Sequence, residues 1–241
     1  MNVVVVMPAY NAAQHIAATL ERIRALPESS DFELTHIIVV DDGSQDATRA
    51  IVSRQPAGKA AVALLTRDEN AGYGAAMKLG LRAACSHKPE VVATVHADGQ
   101  YSPEVLPALA RSLQKRQLDI LQGSRIAGGG ALTGGMPRYK YAANACLNKL
   151  ENAVLQLSLS DYHSGYMLYS PRALDHIAFD TLSDSFDFDL EMIASACARK
   201  LRVAEAPIPT HYGDEISHLQ PVAYGLRVLR VLWKYSRGHY A

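Results

Sequence analysis

The chain has 241 residues, 49% hydrophobic and 20% charged, and Lys+Arg 24 balances Asp+Glu 24. This is the composition of a globular protein with a sizeable core, and the even charge excludes the basic footprint of a nucleic-acid binder. No run reaches the ~18 apolar residues of a membrane span. The expectation is a cytoplasmic protein, at most peripheral at the inner face of the membrane. Cys85, Cys146 and Cys197 match no zinc or Cys-x-x-Cys spacing and read as buried free thiols in a reducing compartment.

Val3-Val4-Val5-Val6-Met7 is an unbroken apolar run, which predicts a strand covered on both faces of a parallel sheet. Pro8 interrupts it and no charged segment precedes it, so it reads as a first strand rather than a signal peptide. Pro8-Ala9-Tyr10-Asn11 leaves this strand, with Asn11 as the cap of a helix carrying Ile16, Leu20 and Ile23. Thr35 to Val40 predicts a second strand ending in Asp41-Asp42-Gly43-Ser44, and Asp46 begins the next helix. Ala61 to Leu65 predicts a third, followed by Arg67, Asn70-Ala71-Gly72-Tyr73-Gly74 and a helix to Ala84. Two glycines at a helix start can let backbone N–H groups approach a phosphate or ribose. Val91 to Val95 predicts a fourth strand that runs into His96-Ala97-Asp98-Gly99-Gln100. Ser102-Pro103 then opens a helix to Lys115. A short strand, Asp119 to Gln122, precedes Gly123-Ser124-Arg125.

Strand and helix thus alternate four times, which predicts an α/β fold with a mostly parallel, Rossmann-like sheet. Asp41, Asp42, Asn70, His96 and Asp98 all follow strands, so they point to one crevice along the sheet's carboxyl edge. Asp98 and Gln100 can give oxygen, and His96 nitrogen, to a divalent cation, Mg²⁺ or Mn²⁺. Such an ion would clamp a diphosphate. Asp41 or Asp42 can accept from a base or ribose; equally, either can be a turn or cap residue. Arg67 can meet a base or pair with Asp68 or Glu69.

The second half differs. Residues 127–135 are glycine-rich and read as a mobile loop. Met136 to Leu157 predicts a long helix with Arg138 and Lys140 near its start. These two, with Arg125, can bind an anionic acceptor. A polar turn, Asp161 to Gly165, precedes a short strand, Tyr166 to Tyr169, and His163 beside Asp161 can be an acid/base pair or a structural bond. Phe186-Asp187-Phe188-Asp189-Leu190-Glu191 opens a helix ending near Arg199, and Leu201 to Ala206 is a last strand. His211 and His218 flank Asp214-Glu215 in a late loop and can close over a phosphate or lie at the surface. Gln220 to Tyr240 predicts an amphipathic helix with a basic stripe of Arg227, Arg230, Lys234 and Arg237. It fits either an anionic lipid surface or a docked position on the core or a second subunit.

Pro8-Ala9-Tyr10-Asn11, Val40-Asp41-Asp42-Gly43-Ser44, Asn70-Ala71-Gly72-Tyr73-Gly74 and His96-Ala97-Asp98-Gly99-Gln100, in this order, resemble family 2 glycosyltransferases of the GT-A fold. Gly123-Ser124-Arg125, Ser164-Gly165-Tyr166-Met167-Leu168-Tyr169-Ser170 and Phe186 to Glu191 look like the branch of dolichyl- and polyprenyl-phosphate sugar synthases. The resemblance implies a nucleotide-diphosphate sugar donor, a divalent metal and inversion at the anomeric carbon. It places Pro8, Ala9, Tyr10, Asp41, Asp42, Arg67, Asn70, Gly72, His96, Ala97 and Asp98 around the donor. Asp98 would be the last acid of the DXD motif, with Gln100 and His96 helping to hold metal. Arg125, Arg138 and Lys140 would bind the acceptor. An acceptor phosphate needs little help from a base; a hydroxyl requires one, and Asp161 and Glu191 are then the candidates. The sequence departs from the family in carrying His96 at the first DXD position.

The resulting expectation is a glycosyltransferase domain over 1–212, with a nucleotide-sugar half (1–125), an acceptor half (126–212) and a loop and helix over 213–241. It would move a sugar from a UDP- or GDP-sugar to a polyprenyl phosphate or other membrane-linked acceptor. Alternatives are transfer to a glycan hydroxyl and a non-catalytic nucleotide-sugar-binding subunit. A homo-oligomer is compatible with either.

Overall fold

The computed structural model describes residues 1–56, 58–127, 138–209 and 221–241, without the side chains of 138–140, 142, 221 and 222. In chain order the elements are β1 (Asn2–Ala9), α1 (Ile16–Arg24), β2 (Glu33–Asp42), α2 (Thr48–Ser53), β3 (Ala61–Arg67), α3 (Tyr73–Ser86), β4 (Val91–Thr94), α4 (Leu106–Lys115) and β5 (Ile120–Ser124). Then follow α5 (Arg138–Leu155), β6 (Met167–Tyr169), α6 (Pro171–His176), α7 (Phe188–Ala198), β7 (Val203–Pro207) and α8 (Pro221–Ser236).

The strands form one sheet in the order β3-β2-β1-β4-β6-β5-β7. All neighbours are parallel except at β6, which runs antiparallel to both β4 and β5. The sheet is therefore mixed where the second half of the chain joins it. The apolar run of β1 divides between two cores. Val4 and Val6 pack with Ile38, Met77, Phe188 and Val228 on one face. Val3, Val5 and Met7 pack with Ile16, Leu20, Ile37 and Leu109 on the other. This two-sided burial is why the strand shows no polar alternation.

Several local expectations change. Asn11 takes φ +50 and does not cap α1; its Oδ1 accepts from Gln45 N–H at 2.8 Å, so it ties the loop after β1 to the loop after β2. Ser102 makes no side-chain cap, and a 3-10 turn over Pro103–Val105 leads into α4. The short helix α6 was not anticipated; Ser170 caps it by accepting from Ala173 N–H at 3.1 Å. Cys146 is exposed rather than buried.

α8 docks by one face. Val228, Val231 and Leu232 are buried in the core, while Leu226, Leu229 and Trp233 point outward.

The first turn of α3 lies against the 183–185 segment. Gly72 has φ +105, and a Cβ there would fall 2.3 Å from the Asp184 carbonyl oxygen. Gly225, on α8, has open space around it. Gly72→Ala is therefore expected to cost about 2 kcal/mol or more in urea unfolding, through backbone strain and the clash. Gly225→Ala should instead raise stability by up to about 1 kcal/mol, the helix-propensity gain.

Candidate functional site

Register brings the strand ends together. Ala9 lies beside Asp41, Asp41 beside Thr66, and Asp42 beside Arg67. Across β1, Val6 is level with Thr94 of β4. The chain leaves β1 toward β2 on one side, whereas β4 lies on the other, so strand order reverses between β1 and β4. Such a switch point opens a crevice beyond the carboxyl ends. Pro8-Ala9-Tyr10 and His96-Ala97-Asp98 stand there. Ala9 and Ala97 are buried, Tyr10 is 39% exposed, and His96, Asp98 and Gln100 are half-buried. Asp98 turns the chain: its Oδ1 accepts from Gln100 N–H at 3.0 Å across Gly99, whose φ is +76.

His96 is fixed by a chain of hydrogen bonds. Tyr73 donates its hydroxyl proton to Asp189 Oδ2 at 2.7 Å, and His96 Nε2 lies 3.3 Å from the same hydroxyl oxygen. The phenol proton is committed to the carboxylate, so the oxygen accepts from His96. Nε2 then carries the hydrogen and Nδ1 the lone pair. Burial lowers the His96 pKa, which keeps the ring neutral. Gly165 makes room for it, because a Cβ there would lie 2.5 Å from the ring. Tyr101 packs edge-on against the ring and accepts from Gly165 N–H at 3.1 Å.

Asp189, two positions before Glu191 in the same motif, is the carboxylate that meets Tyr73. Burial pushes the Asp189 carboxyl up to about 7, and its Oδ1 has no hydrogen-bond partner. Its signal in the sequence was its place at the first turn of a helix opened by two aromatics, which puts positions 188 to 191 on all sides of a buried helix end.

The paired acids after β2 behave differently from expectation. Asp41 is 0% exposed and Asp42 3%, and both carboxylates are engaged within the protein. Asp41 accepts from Ser44 N–H at 3.3 Å and from Arg49 Nε at 3.1 Å. Asp42 accepts from Ala71 N–H at 3.2 Å and Gly72 N–H at 2.8 Å, with Arg67 Nε 3.4 Å away. Arg67 thus pairs with Asp42, not with Asp68 or Glu69. The N–H groups of Gly74 and Ala75 go to the Asp184 carbonyl at 2.9 and 3.3 Å. The glycines admit this segment of the protein itself, and the helix start is not an open phosphate cradle. Asn70 is exposed and lines, with Arg67, Asp68, Glu69 and Ala71, an open hollow of about 580 Å³.

Arg125 and the expected bases are also engaged. Arg125 forks onto Asp161, Nε to Oδ2 at 2.7 Å and Nη2 to Oδ1 at 2.8 Å, and Nη2 also donates to the His163 carbonyl. Asp161 is fully buried and its pKa is lowered: burial alone would raise it, but the Arg125 charge and hydrogen bonds outweigh that. It is a poor base. Glu191, likewise fully buried, takes Lys234 Nζ at 2.6 Å, the Tyr240 hydroxyl at 2.5 Å and Ser183 N–H at 2.5 Å. It anchors α8 and does not reach the crevice. His163 points away from Asp161; Nδ1 lies 3.0 Å from the Tyr224 hydroxyl and Nε2 3.4 Å from Glu151. The side chains of Arg138 and Lys140, the loop from 128, and His211, Asp214, Glu215 and His218 lie outside the described residues.

Among the described residues no group of three or more His, Cys, Asp or Glu stands ready to hold a metal. Asp98 with the Gln100 amide and neutral His96 is a partial set. It fits an ion that takes most of its shell from water and a diphosphate, as Mg²⁺ and Mn²⁺ do, and not one held in a closed protein cage.

Burial raises Glu151 to about 8 and lowers His163 to about 4. Folded Glu151 keeps a proton that it would release near 4.5 when unfolded, so its stabilisation is full at low pH and fades as pH rises through 8. His163 acts in the opposite sense between 6.5 and 4, and Asp189 adds a loss that ends near 7. Between pH 7 and 8 the slope belongs to Glu151. Glu151→Gln should flatten the fall in urea-unfolding stability in that window; an unchanged slope would refute the assignment.

Residues 4–178 match the profile of glycosyl transferase family 2. An undecaprenyl-phosphate mannosyltransferase of Micrococcus luteus is 30% identical over 210 residues, 86% of this chain and 83% of that protein. A polyprenol monophosphomannose synthase of Mycolicibacterium smegmatis is 28% identical over 207 residues, 85% of this chain and 75% of its own. The crystal structure of glucosyl-3-phosphoglycerate synthase from Mycobacterium tuberculosis with Mn²⁺, UDP and phosphoglyceric acid superposes with a TM-score of 0.71. It is 16% identical and covers 97% of this chain and 78% of that one. The matched profile, together with a seven-stranded sheet whose switch point carries His96-Ala97-Asp98, makes the chain a member of glycosyl transferase family 2, a glycosyltransferase with the GT-A fold.

Proposed function

We propose that this glycosyltransferase moves a hexose from a UDP- or GDP-sugar to a polyprenyl phosphate or another membrane-linked acceptor, with inversion. The names of the Micrococcus and Mycolicibacterium relatives support the acceptor class. The observation that carries the reading is the engagement of both candidate bases: Asp161 is locked to Arg125, and Glu191 to Lys234 and Tyr240. An acceptor phosphate is ionised at neutral pH and has no proton to surrender. One of its oxygens attacks the anomeric carbon. The bond from that carbon to the donor's β-phosphate oxygen breaks, and the nucleoside diphosphate leaves with the electron pair.

In this reading Asp98 and Gln100 hold the divalent ion, which when bound offsets the charge of the leaving diphosphate. The neutral His96 ring, its Nε2 fixed by Tyr73, has Nδ1 left to offer to that ion or to the donor. Tyr10, Arg67 and Asn70 are the donor-side residues with surface to offer. Asp41, Asp42 and Gly72 shape the edge from behind. Residues 1–125 serve the donor and 126–212 the acceptor, with Arg138 and Lys140 as its cations. Arg125 uses Nε and Nη2 inside the protein, so its part is to organise the 161–165 turn beneath His96.

Transfer to a glycan hydroxyl has one observation in its favour: Asp189, held near 7, is wired through Tyr73 to His96 and can receive a proton. The two readings separate in one assay. Radiolabelled UDP- and GDP-hexoses are offered with polyprenyl phosphate in detergent, or with soluble saccharides. Label in the organic extract supports the first reading; label only in water-soluble product overturns it. Asp98→Asn should lower turnover on the order of 100-fold while leaving the unfolding midpoint unchanged. Calorimetry should show Mn²⁺ strengthening UDP or GDP binding in the wild type and not in Asp98→Ala.

A further inference from the structure

Three features of α8 coincide. The first is an outward apolar stripe. Leu226, Leu229 and Trp233 are 64%, 47% and 58% exposed, more than any other large hydrophobic side chain among the described residues. Their spacings of three and four put them on one helix face. That face is opposite Val228, Val231 and Leu232, which already hold the helix to the core. The docking of α8 onto the described core uses that other face.

The second is charge. Arg227, Arg230, Lys234 and Arg237 flank the stripe, and residues 221–241 contain no Asp or Glu. Arg227 and Lys234 pair inward with Asp187 and Glu191 at 3.4 and 2.6 Å. Arg230 and Arg237, both exposed, have no carboxylate partner among the described residues. The third is a hollow of about 390 Å³ beside the helix, lined by Ser183, Arg227, Arg230 and Lys234 and tempered by Asp187. It is large enough for a phosphate group.

We propose that α8 is a docking surface for an anionic phospholipid membrane, with the apolar stripe in the acyl boundary and the hollow beside it receiving a headgroup phosphate. An exposed stripe of Leu and Trp beside unpaired arginines is the arrangement that partitions to a charged interface. The helix is too short and too charged to cross the bilayer, and no helix among the described residues is long and apolar enough to do so. The contact is therefore parallel to the surface. This inference does not rest on the acceptor being a lipid.

Trp233 is the only tryptophan in the chain, so fluorescence reports this face directly. The full chain is mixed with phosphatidylcholine vesicles, with and without phosphatidylglycerol, and no polyprenyl phosphate. The expected result is a blue shift and co-sedimentation with the anionic vesicles only, weakened by added salt. Arg230→Glu/Arg237→Glu should reduce partitioning about tenfold or more, and Leu226→Ser/Leu229→Ser should abolish the blue shift. UDP or GDP binding by these variants should be unchanged, which shows that they fold. Absence of binding to both vesicles overturns the proposal. So does a dimer in solution with Trp233 already shielded, which would assign the face to a second copy. Loss of lipid-directed transfer with vesicle binding intact would instead count against the acceptor, not the docking face.

Discussion

The first turn of α3 is gripped from two sides, and the geometry of the site follows from that grip. Below it, the Asp42 carboxylate at the end of β2 takes the N–H groups of Ala71 and Gly72. Above it, the Asp184 carbonyl takes those of Gly74 and Ala75. Lys78, one turn on, donates to the Leu182 carbonyl and to the Asp184 carboxylate. A helix start has four donors without intrahelical partners, and here the protein itself takes those of Gly72, Gly74 and Ala75. Tyr73 sits between the two grips. Its hydroxyl therefore meets His96 on one side and Asp189 on the other. A residue from β4's end, one from α3 and one from α7 become a single hydrogen-bonded unit, although they lie in three separate parts of the chain.

Buried charge organises the second half. Arg125, Asp161, His163 and Glu151 come from the end of β5, the turn before β6 and the middle of α5. The Arg125–Asp161 fork is a charged pair with Asp161 fully enclosed, and breaking it from one side would strand the other charge. Glu151 and His163 solve the same problem by neutrality. Burial raises the carboxyl and lowers the imidazole, so the two groups face each other uncharged across 3.4 Å. Tyr224 of α8 closes the other side of the ring. The second half of the chain is thus tied to α8 by an uncharged contact and to the end of β5 by a charged one.

The strands were legible because burial on two faces leaves an apolar run that needs no partner to be recognised. The crevice was legible too, since polar residues placed just after parallel strands must collect at one edge. What the sequence did not carry was direction. Asp41 and Asp42 sit where ligand-binding acids would, but their carboxylates turn inward to N–H groups and arginines that are distant in sequence. Gly72 and Gly74 signal close approach without saying what approaches; it is the 183–185 segment. The antiparallel β6 was hidden because three residues between a turn and a helix cap give no orientation signal. The sequence did not separate Asp189 from Glu191, two positions away, because a helix buried on every side has no polar face to choose between them.

These assignments constrain the chemistry jointly. A base for a hydroxyl acceptor has to be ionised, near neutral in pKa and able to reach the crevice. Asp161 is ionised but depressed and enclosed, and Glu191 is enclosed beneath α8. Burial pushes the Asp189 carboxyl up to about 7, but it reaches the crevice only through two hydrogen bonds, the second of them 3.3 Å long. Moving a proton along that route would require His96 to give up its Nε2 hydrogen to Tyr73 while accepting another at Nδ1. The lowered pKa of His96 makes the intermediate imidazolium costly. An acceptor that arrives already as an anion avoids that state. The same wiring then has a simpler use: it keeps the ring neutral and in one tautomer at the carboxyl end of β4.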